Sequence, residues 1–170
     1  VKPAYGPEHH VLLGKGSPDL LVGKAVTLSQ GVPDAFGHRW TDSRQAGGPA
    51  FAWSDISATG RRLETVSNCD DCAEEVGLSF AFPFYAAAGH GSVFVGSNGY
   101  VTFGEPADAF SNHPIPSASM PGNLVAALFQ DLYPVGGEGI FFQEFGDRAV
   151  VQYQAVPDFQ GTGTYDFQIV

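Results

Sequence analysis

The chain has 170 residues, the length of one domain, and its 18 acidic and 8 basic side chains give a net charge of -10. A surface of this charge repels nucleic acids and anionic lipids, because both are held by clustered lysine and arginine. No apolar run approaches the roughly 20 residues that a membrane-spanning helix needs. With 44% hydrophobic residues and 14 phenylalanines, the composition excludes a disordered chain and favours half-buried strands.

The first 31 residues show no sustained helical or alternating period. Two apolar runs, Val11-Leu12-Leu13 and Ala25-Val26-Thr27-Leu28, are separated by glycine and proline. Each run has the length of a short strand, which would pack across a sheet edge or belong to the junction with a preceding domain. We therefore predict a lead-in segment or linker over residues 1–31 and a folded domain over residues 32–170.

Four aspartates are candidate ligands for a calcium ion. Asp34, Asp42 and Asp55 lie in a glycine-rich stretch, and Asp131 ends a predicted strand. Their carboxylate oxygens are the hard ligands that Ca²⁺ prefers, and they would converge at one rim of a sandwich. The alternative is that Asp42 and Asp55 cap turns by hydrogen bonds to the backbone. No other cofactor is predicted.

The two cysteines stand in the sequence Cys69-Asp-Asp-Cys72. A redox pair is disfavoured, because two adjacent aspartates raise the pKa of a thiol instead of lowering it. A zinc site needs two further ligands, and the neighbouring His9 and His10 cannot easily both face one ion in an extended segment. A disulfide that closes a small local loop is the favoured interpretation, and it indicates an oxidising compartment.

The clearest strand pattern begins at Leu78. Leu78, Phe80, Phe82 and Phe84 occupy alternate positions, which is the period of a strand with one face in the core. Pro83 has no backbone N–H to donate, so we expect this strand either to lie at a sheet edge or to end at Pro83.

The strongest hairpin signal follows. Residues 92–95 and 100–104 are apolar runs, and Ser97-Asn98-Gly99 lies between them. Asparagine and glycine tolerate the positive φ that a tight turn requires. The pattern predicts two antiparallel strands joined by this turn.

Further strands are predicted at residues 124–130, 139–145, 148–156 and 164–170, separated by turn residues. No segment of 11 or more residues keeps the 3.6-residue period of a helix. We therefore predict an all-β fold, an antiparallel two-sheet β-sandwich of jelly-roll or immunoglobulin-like type, with little or no helix.

Six stretches carry a family resemblance: PDAFG (33–37), WTDS (40–43), GGPAFAWSDIS (47–57), FPFY (82–85), VGSNGYVTFG (95–104) and NLVAALFQDL (123–132). They resemble a β-sandwich accessory module of large secreted bacterial proteins, as appended to subtilisin-type peptidases, surface repeats and adhesins. The SNGY turn at residues 97–100 is also similar to nidogen-like extracellular domains. The resemblance covers residues 32–170 and implies an extracellular or cell-surface location and an accessory role rather than a reaction.

The chain departs from such modules after its last predicted strand, from Thr164 to Val170. Modules of this kind continue into another strand, so this strand is expected to lack its hairpin partner. One hypothesis is that a complementing strand comes from another polypeptide or by self-association. The alternative is an arbitrary boundary of the sequence.

The sequence shows no recognisable catalytic constellation. Ser97 lacks the G-x-S-x-G context of an activated serine and is interpreted as a turn residue. Carboxylates at Glu138, Glu144, Asp131 and Asp158 fall on different strands or loops, so their spacing does not define a glycosidase pair. We predict no catalytic residue and no enzyme activity in this chain. A non-catalytic domain of this kind is compatible with a parent protein that is a secreted peptidase.

Three functions follow from these observations. The leading one is a non-catalytic extracellular binding or adhesion module that contacts a protein or glycan at the cell surface. The second is a structural subunit of an extracellular filament or surface polymer, assembled by strand complementation. The third is a carbohydrate-binding or carbohydrate-active domain, with Trp40, Trp53 and Tyr133 as sugar-stacking faces; the alternative for these aromatic residues is a place in the core.

Overall fold

The computed structural model describes residues 33–85, 88–113, 115 and 117–170. The predicted lead-in over residues 1–31 lies outside this part. The described chain contains one short 3₁₀ turn, Val66–Asn68, and no helix in it is long and apolar enough to cross a membrane. Its strands are β1 (Arg61–Arg62), β2 (Ala73–Phe82), β3 (His90–Gly96), β4 (Tyr100–Thr102), β5 (Leu124–Ala126), β6 (Gly139–Glu144), β7 (Ala149–Pro157) and β8 (Thr164–Ile169).

The strands form two four-stranded antiparallel sheets. The first sheet has the order β1-β6-β7-β8, and the second has the order β2-β3-β4-β5. Because each sheet has one apolar face, the two sheets pack those faces against each other. The predicted all-β sandwich with little helix is confirmed.

Strand β2 agrees with the prediction at its end but not at its start. It ends at Phe82, directly before Pro83, and it is an edge strand, as the proline indicated. It begins at Ala73, because Ala73 to Gly77 pair with β3 even though glutamates stand at Glu74 and Glu75. The sequence prediction missed this half, since those charged residues interrupt the apolar alternation.

Strand β5 is shorter than predicted. It ends at Ala126, because the next two N–H groups, of Ala127 and Leu128, both donate to the carbonyl oxygen of Gly99, at 3.2 and 3.3 Å. The two-residue strand β1 was not predicted at all, since Arg61 and Arg62 carry no apolar signal.

The core lies between the sheets and draws on both. Alternate residues of a strand point to the same face, and on β3 Val93 and Val95 point into the core. On β7, residues 150–153 are all buried, so this strand is covered on both faces. The members of the core are Leu63, Val66, Val76, Val93, Val95, Val101, Phe103, Leu132, Ile140, Phe142, Val151, Tyr153 and Val156.

Tyr153 of β7 joins the two sheets through the core. Its side chain is fully buried, and its ring stacks on Phe167 of β8 with 4.2 Å between centroids. Its hydroxyl donates to the carbonyl oxygen of Gly96 at 2.6 Å and lies 3.3 Å from that of Tyr100, both in the opposite sheet. Burial raises the pKa of Tyr153 far above its usual range, so the hydroxyl stays a neutral donor.

The outer face of the first sheet is covered by residues 54–57. Gln152 is next to Tyr153 in β7, so its side chain points to the opposite face of the sheet, where it is fully buried. Its amide oxygen accepts from the Ile56 N–H at 3.0 Å, and its amide nitrogen donates to Asp55 at 3.0 Å. Gln168 of β8 likewise donates to the Ser54 carbonyl at 2.6 Å. These amides compensate the burial of polar groups beneath the covering segment.

We predict that Tyr153→Phe destabilises the protein by about 1–2 kcal/mol, because it removes a buried donor and leaves the Gly96 carbonyl without that partner. Urea unfolding followed by fluorescence measures the effect. Tyr133→Phe is the control: its side chain is 37% exposed, so a change within about 0.5 kcal/mol is expected. Equal stability of Tyr153→Phe and the wild type would contradict the bridging role.

Candidate functional site

Four loops meet at one end of the sandwich, which we call the SNGY end (residues 69–72, 97–100, 127–133 and 158–163). The cysteine loop is held to the turn by a pair of hydrogen bonds. The Ser97 N–H donates to the Cys72 carbonyl at 2.8 Å, and the Cys72 N–H donates to the Ser97 hydroxyl at 3.1 Å. Both the N–H and the hydroxyl of Ser97 therefore form hydrogen bonds with the backbone, in agreement with the interpretation of Ser97 as a turn residue.

Asn98 connects this turn to the other loops. Its side chain is fully buried. The amide nitrogen donates to an Asp71 carboxylate oxygen at 2.9 Å and to the Ala109 carbonyl at 3.3 Å. The amide oxygen accepts from the Leu132 N–H at 2.7 Å. One asparagine thus holds three segments that are far apart in the sequence, a role that the hairpin signal did not reveal.

Gly99 makes the close packing at this turn possible. Its φ is +79°, a conformation that residues with a Cβ adopt at a cost. A Cβ at this position would also overlap the carbonyl oxygen of Leu128, which belongs to the segment after β5. Only glycine lets the two backbones approach this closely.

Three carboxylates lie together at the SNGY end. Carboxylate oxygens of Asp70, Asp71 and Asp131, which we call the acidic group, lie within 4.8 Å of one another, and all three residues are partly buried. Oxygens at this spacing are able to share a hard cation such as Ca²⁺. Asp131 was predicted as a calcium ligand, whereas Asp70 and Asp71 were noticed only as neighbours of the cysteines.

The other three predicted calcium ligands lie in turns of their own. Asp34 accepts two backbone N–H groups of the following loop. Asp42 accepts the Arg44 N–H at 2.9 Å, and Asp55 accepts the Ser57 N–H at 2.9 Å. These are the turn-capping hydrogen bonds that formed the alternative interpretation of Asp42 and Asp55. The structure groups none of the three with Asp131.

The two cysteines, which are separated by two residues in the sequence, also lie close together in space. Cys69 and Cys72 lie at disulfide distance, with Cα atoms 6.3 Å apart, and neither is a free thiol. The loop that they close carries Asp70 and Asp71, so it restrains two members of the acidic group.

Two exposed aromatic rings stand beside the acidic group. Tyr133 and Phe159, which we call the aromatic pair, are 37% and 39% exposed, and their rings meet edge to face with centroids 6.0 Å apart. An isolated bridge between Leu132 and Asp158 joins their loops, and the Phe159 N–H donates to the Asp131 carbonyl at 2.9 Å. Tyr133 was predicted as a stacking residue, whereas Phe159 was missed.

The two tryptophans are surface residues rather than core residues. Trp40 is 44% exposed and Trp53 is 38% exposed. Trp53 precedes Ser54, so it stands at the outer face of the first sheet and not at the SNGY end. As predicted stacking residues, Trp40 and Trp53 remain untested.

Two of the four carboxylates considered for glycoside hydrolysis, Glu144 and Asp158, have structural partners. Glu144 accepts the Ser79 N–H at 2.8 Å, and Asp158 accepts the Thr162 N–H at 2.8 Å and its hydroxyl at 2.6 Å. Although burial works to raise the pKa of Asp158, the hydrogen bonds from Thr162 outweigh it and lower this pKa. A general acid needs the opposite shift, so Asp158 is unsuited to that role.

We predict that Gly99→Ala destabilises the protein by about 3 kcal/mol or more, because strain at positive φ adds to the overlap with the Leu128 carbonyl. Gly104→Ala is the matched control: φ is +94° but no atom lies within 4 Å of its Cβ. Strain alone would cost about 1–2 kcal/mol there. Equal losses in the two variants, measured by urea unfolding, would show that the contact with Leu128 contributes nothing.

The calcium hypothesis predicts a higher thermal midpoint in millimolar Ca²⁺ than in excess EDTA, because an ion bound only by the folded state stabilises it. Asp131→Asn should abolish this difference. Asp42→Asn, which alters a turn aspartate outside the acidic group, should leave it intact. Differential scanning calorimetry measures the midpoints. A wild-type midpoint that is unchanged by EDTA removes structural calcium.

Comparison with known proteins gives one match. The family model described as NIDO related, for nidogen-related domains, matches residues 45–168, which is most of the chain and includes β1 to β7 and all of β8 except its last residue. No curated protein and no solved structure matches the chain. The matched region also contains the SNGY end with its acidic group and aromatic pair. The chain belongs to the nidogen-related domain family.

Proposed function

We propose that this protein is a non-catalytic extracellular binding or adhesion module that recognises its partner with the SNGY end. The nidogen-related family consists of non-catalytic, typically extracellular modules, which supports the general role. The observation that carries the proposed surface is the aromatic pair, Tyr133 and Phe159, exposed on two joined loops.

The loops of the aromatic pair are held in place before any partner arrives. The bridge between Leu132 and Asp158 and the bond from the Phe159 N–H to Asp131 restrain both backbones. Aromatic rings offer a large contact area with few rotatable bonds, so little conformational entropy is lost when they are covered. A surface of this kind is suited to a protein or a glycan partner.

The charge beside the aromatic pair limits the chemistry of that partner. The acidic group adjoins Phe159 through Asp131, and the whole chain carries a net charge of -10. A neutral glycan or a protein with a basic patch would meet this surface favourably, whereas nucleic acid would be repelled. The proposed parent is a secreted or cell-surface protein, such as an adhesin or a secreted peptidase. The paired cysteines support an oxidising location.

We predict that the double variant Tyr133→Ala, Phe159→Ala loses at least tenfold in affinity for the partner, because central aromatic side chains dominate interfaces. Binding is measured on arrays of extracellular proteins and of glycans, followed by titration calorimetry of each ligand found. Phe51→Ala is the control, since Phe51 is 82% exposed and lies outside the SNGY end. Unchanged affinity in the double variant would place recognition elsewhere. Binding to glycans alone would favour the carbohydrate-binding alternative.

A second candidate function is a subunit of a surface polymer assembled by strand complementation. Strand β8 pairs only with β7 among the described strands, so it is an edge strand of the first sheet. An unpaired edge is a template for a further strand. Sedimentation velocity over a hundredfold concentration range and electron microscopy would reveal assembly. A monomer at every concentration would contradict it.

A further inference from the structure

An apolar cleft of about 330 Å³ opens between the two sheets. Strand β7 runs from Ala149, which lines the cleft, to Pro157, which precedes loop 158–163 of the SNGY end. The cleft therefore lies at the opposite end of the sandwich, and we call it the open-end cleft. The residues that form its walls include Leu78, Phe80, Phe82 and Phe103 of the second sheet and its margin, and Val151 and Ile169 of the first.

The side chains inside the open-end cleft offer a ligand no hydrogen bond. Apart from Asp147 and Arg148, every side chain of the lining is apolar. A polar group that enters such a space loses its water without gaining a partner, which costs free energy. Water itself stays in a buried site only where it finds polar partners. The part of a ligand that enters the cleft is therefore hydrocarbon.

The dimensions of the open-end cleft suit a single hydrocarbon chain. A dry apolar cavity of about 150 Å³ holds benzene. A cleft of about twice that volume has room for roughly a dozen carbon atoms. Val125 of β5 and Leu78 of β2, the two edge strands of the second sheet, both line it, so the space extends across that sheet as a slot. A chain that lies along the slot fills it better than a round molecule does.

Arg148 places a positive charge at the open-end cleft. Its guanidinium carbon is 5.0 Å from the centroid of the Phe145 ring, a contact that restrains the long side chain. The Phe145 N–H donates to the Arg148 carbonyl at 2.8 Å and closes the turn beneath it. In the described part of the chain, the ion pairs involve Arg61, Arg62 and His38, and none involves Arg148. The exposed guanidinium is therefore able to hold an anion.

Asp147 is the other charged residue of the lining, and it precedes Arg148 in the same turn. The two charges would favour opposite head groups on a ligand. The guanidinium favours the anion more strongly, because its planar N–H donors match the two oxygens of a carboxylate. An exposed aspartate gives a quaternary ammonium only a Coulomb attraction, which solvent and salt weaken. An anionic head on Arg148 is thus the better match, and Asp147 opposes it slightly.

We propose that the open-end cleft binds a free single-chain amphiphile with an anionic head, of the class of medium-chain carboxylates. The hydrocarbon tail lies between the sheets, and the carboxylate binds Arg148 at the mouth. This ligand site goes beyond the proposed function and does not depend on it, because the aromatic pair lies at the SNGY end.

Isothermal titration calorimetry of the full chain with decanoate tests the proposal. The titration is made near neutral pH, where decanoate is ionised, and below the concentration at which it forms micelles. We expect one decanoate per chain. Hexanoate should bind at least tenfold more weakly, because its shorter tail covers less of the apolar lining. Decyltrimethylammonium, with the same tail and the opposite charge, should bind at least fivefold more weakly.

Substitutions at the mouth test the contact with the head group. Arg148→Gln should weaken decanoate binding at least fivefold, because it removes the charged donors. Asp147→Asn should bind decanoate at least as tightly as the wild type. Arg44→Gln is the matched control, since it makes the same change of charge at an exposed arginine that does not line the cleft. It should bind like the wild type, and equal weakening in the two arginine variants would overturn the proposal.

A substitution in the wall tests the position of the tail. Ala149→Phe fills the cleft from β7 and should abolish decanoate binding. Should this variant fail to fold, a decanoate with a diazirine near the end of its tail maps the site in the wild type. We expect adducts on residues 78–82, 101–103 or 149–151, found by tandem mass spectrometry. Adducts confined to the SNGY end, several decanoates per chain, tighter binding of decyltrimethylammonium, or no binding up to about 1 mM decanoate would each overturn the proposal.

Discussion

The architecture of the SNGY end depends on the buried side chain of Asn98. A buried amide is costly unless its donor and acceptor atoms find partners, and Asn98 finds them in Asp71, Ala109 and Leu132. Because these partners come from separate loops, satisfying one side chain determines where all the loops lie. The acidic group and the aromatic pair owe their positions to this constraint, since Asp71 is bonded to Asn98 directly and Leu132 precedes Tyr133.

The two ends of the sandwich are stabilised by different forces. At the SNGY end, directional hydrogen bonds hold polar loops, so the geometry is specific and exposed side chains are presented in fixed positions. At the opposite end, the sheets enclose a mainly apolar cleft, which is lined by Leu78, Phe80 and Phe82 among others. Tyr153 stands between the two regions, because its hydroxyl bonds the backbone at Gly96 while its ring joins the apolar core at Phe167.

Local patterns predicted the sandwich well, but not the site. Alternation at Leu78 and Phe82 and the turn at Gly99 depend on near neighbours, so the sequence displays them directly. The acidic group brings Asp131 beside Asp70, about 60 residues away, and no period in the sequence encodes such a contact. Phe159 was missed for the same reason, since only the bridge between the loops brings it to Tyr133. Asp42 and Asp55 resembled ligands because turn caps use the same residue type.

The distribution of exposed side chains explains why the loops are the favoured place for recognition. The outer face of the first sheet is occupied by residues 54–57, which the amides of Gln152 and Gln168 hold in place. The outer face of β2 in the second sheet exposes only small or charged residues: Glu75, Gly77, Ser79 and Ala81. The outer face of β2 therefore offers a partner little apolar contact area. The SNGY end offers more, because its aromatic pair is exposed by loops that hydrogen bonds hold rigid, and a partner that covers both rings need not order them first.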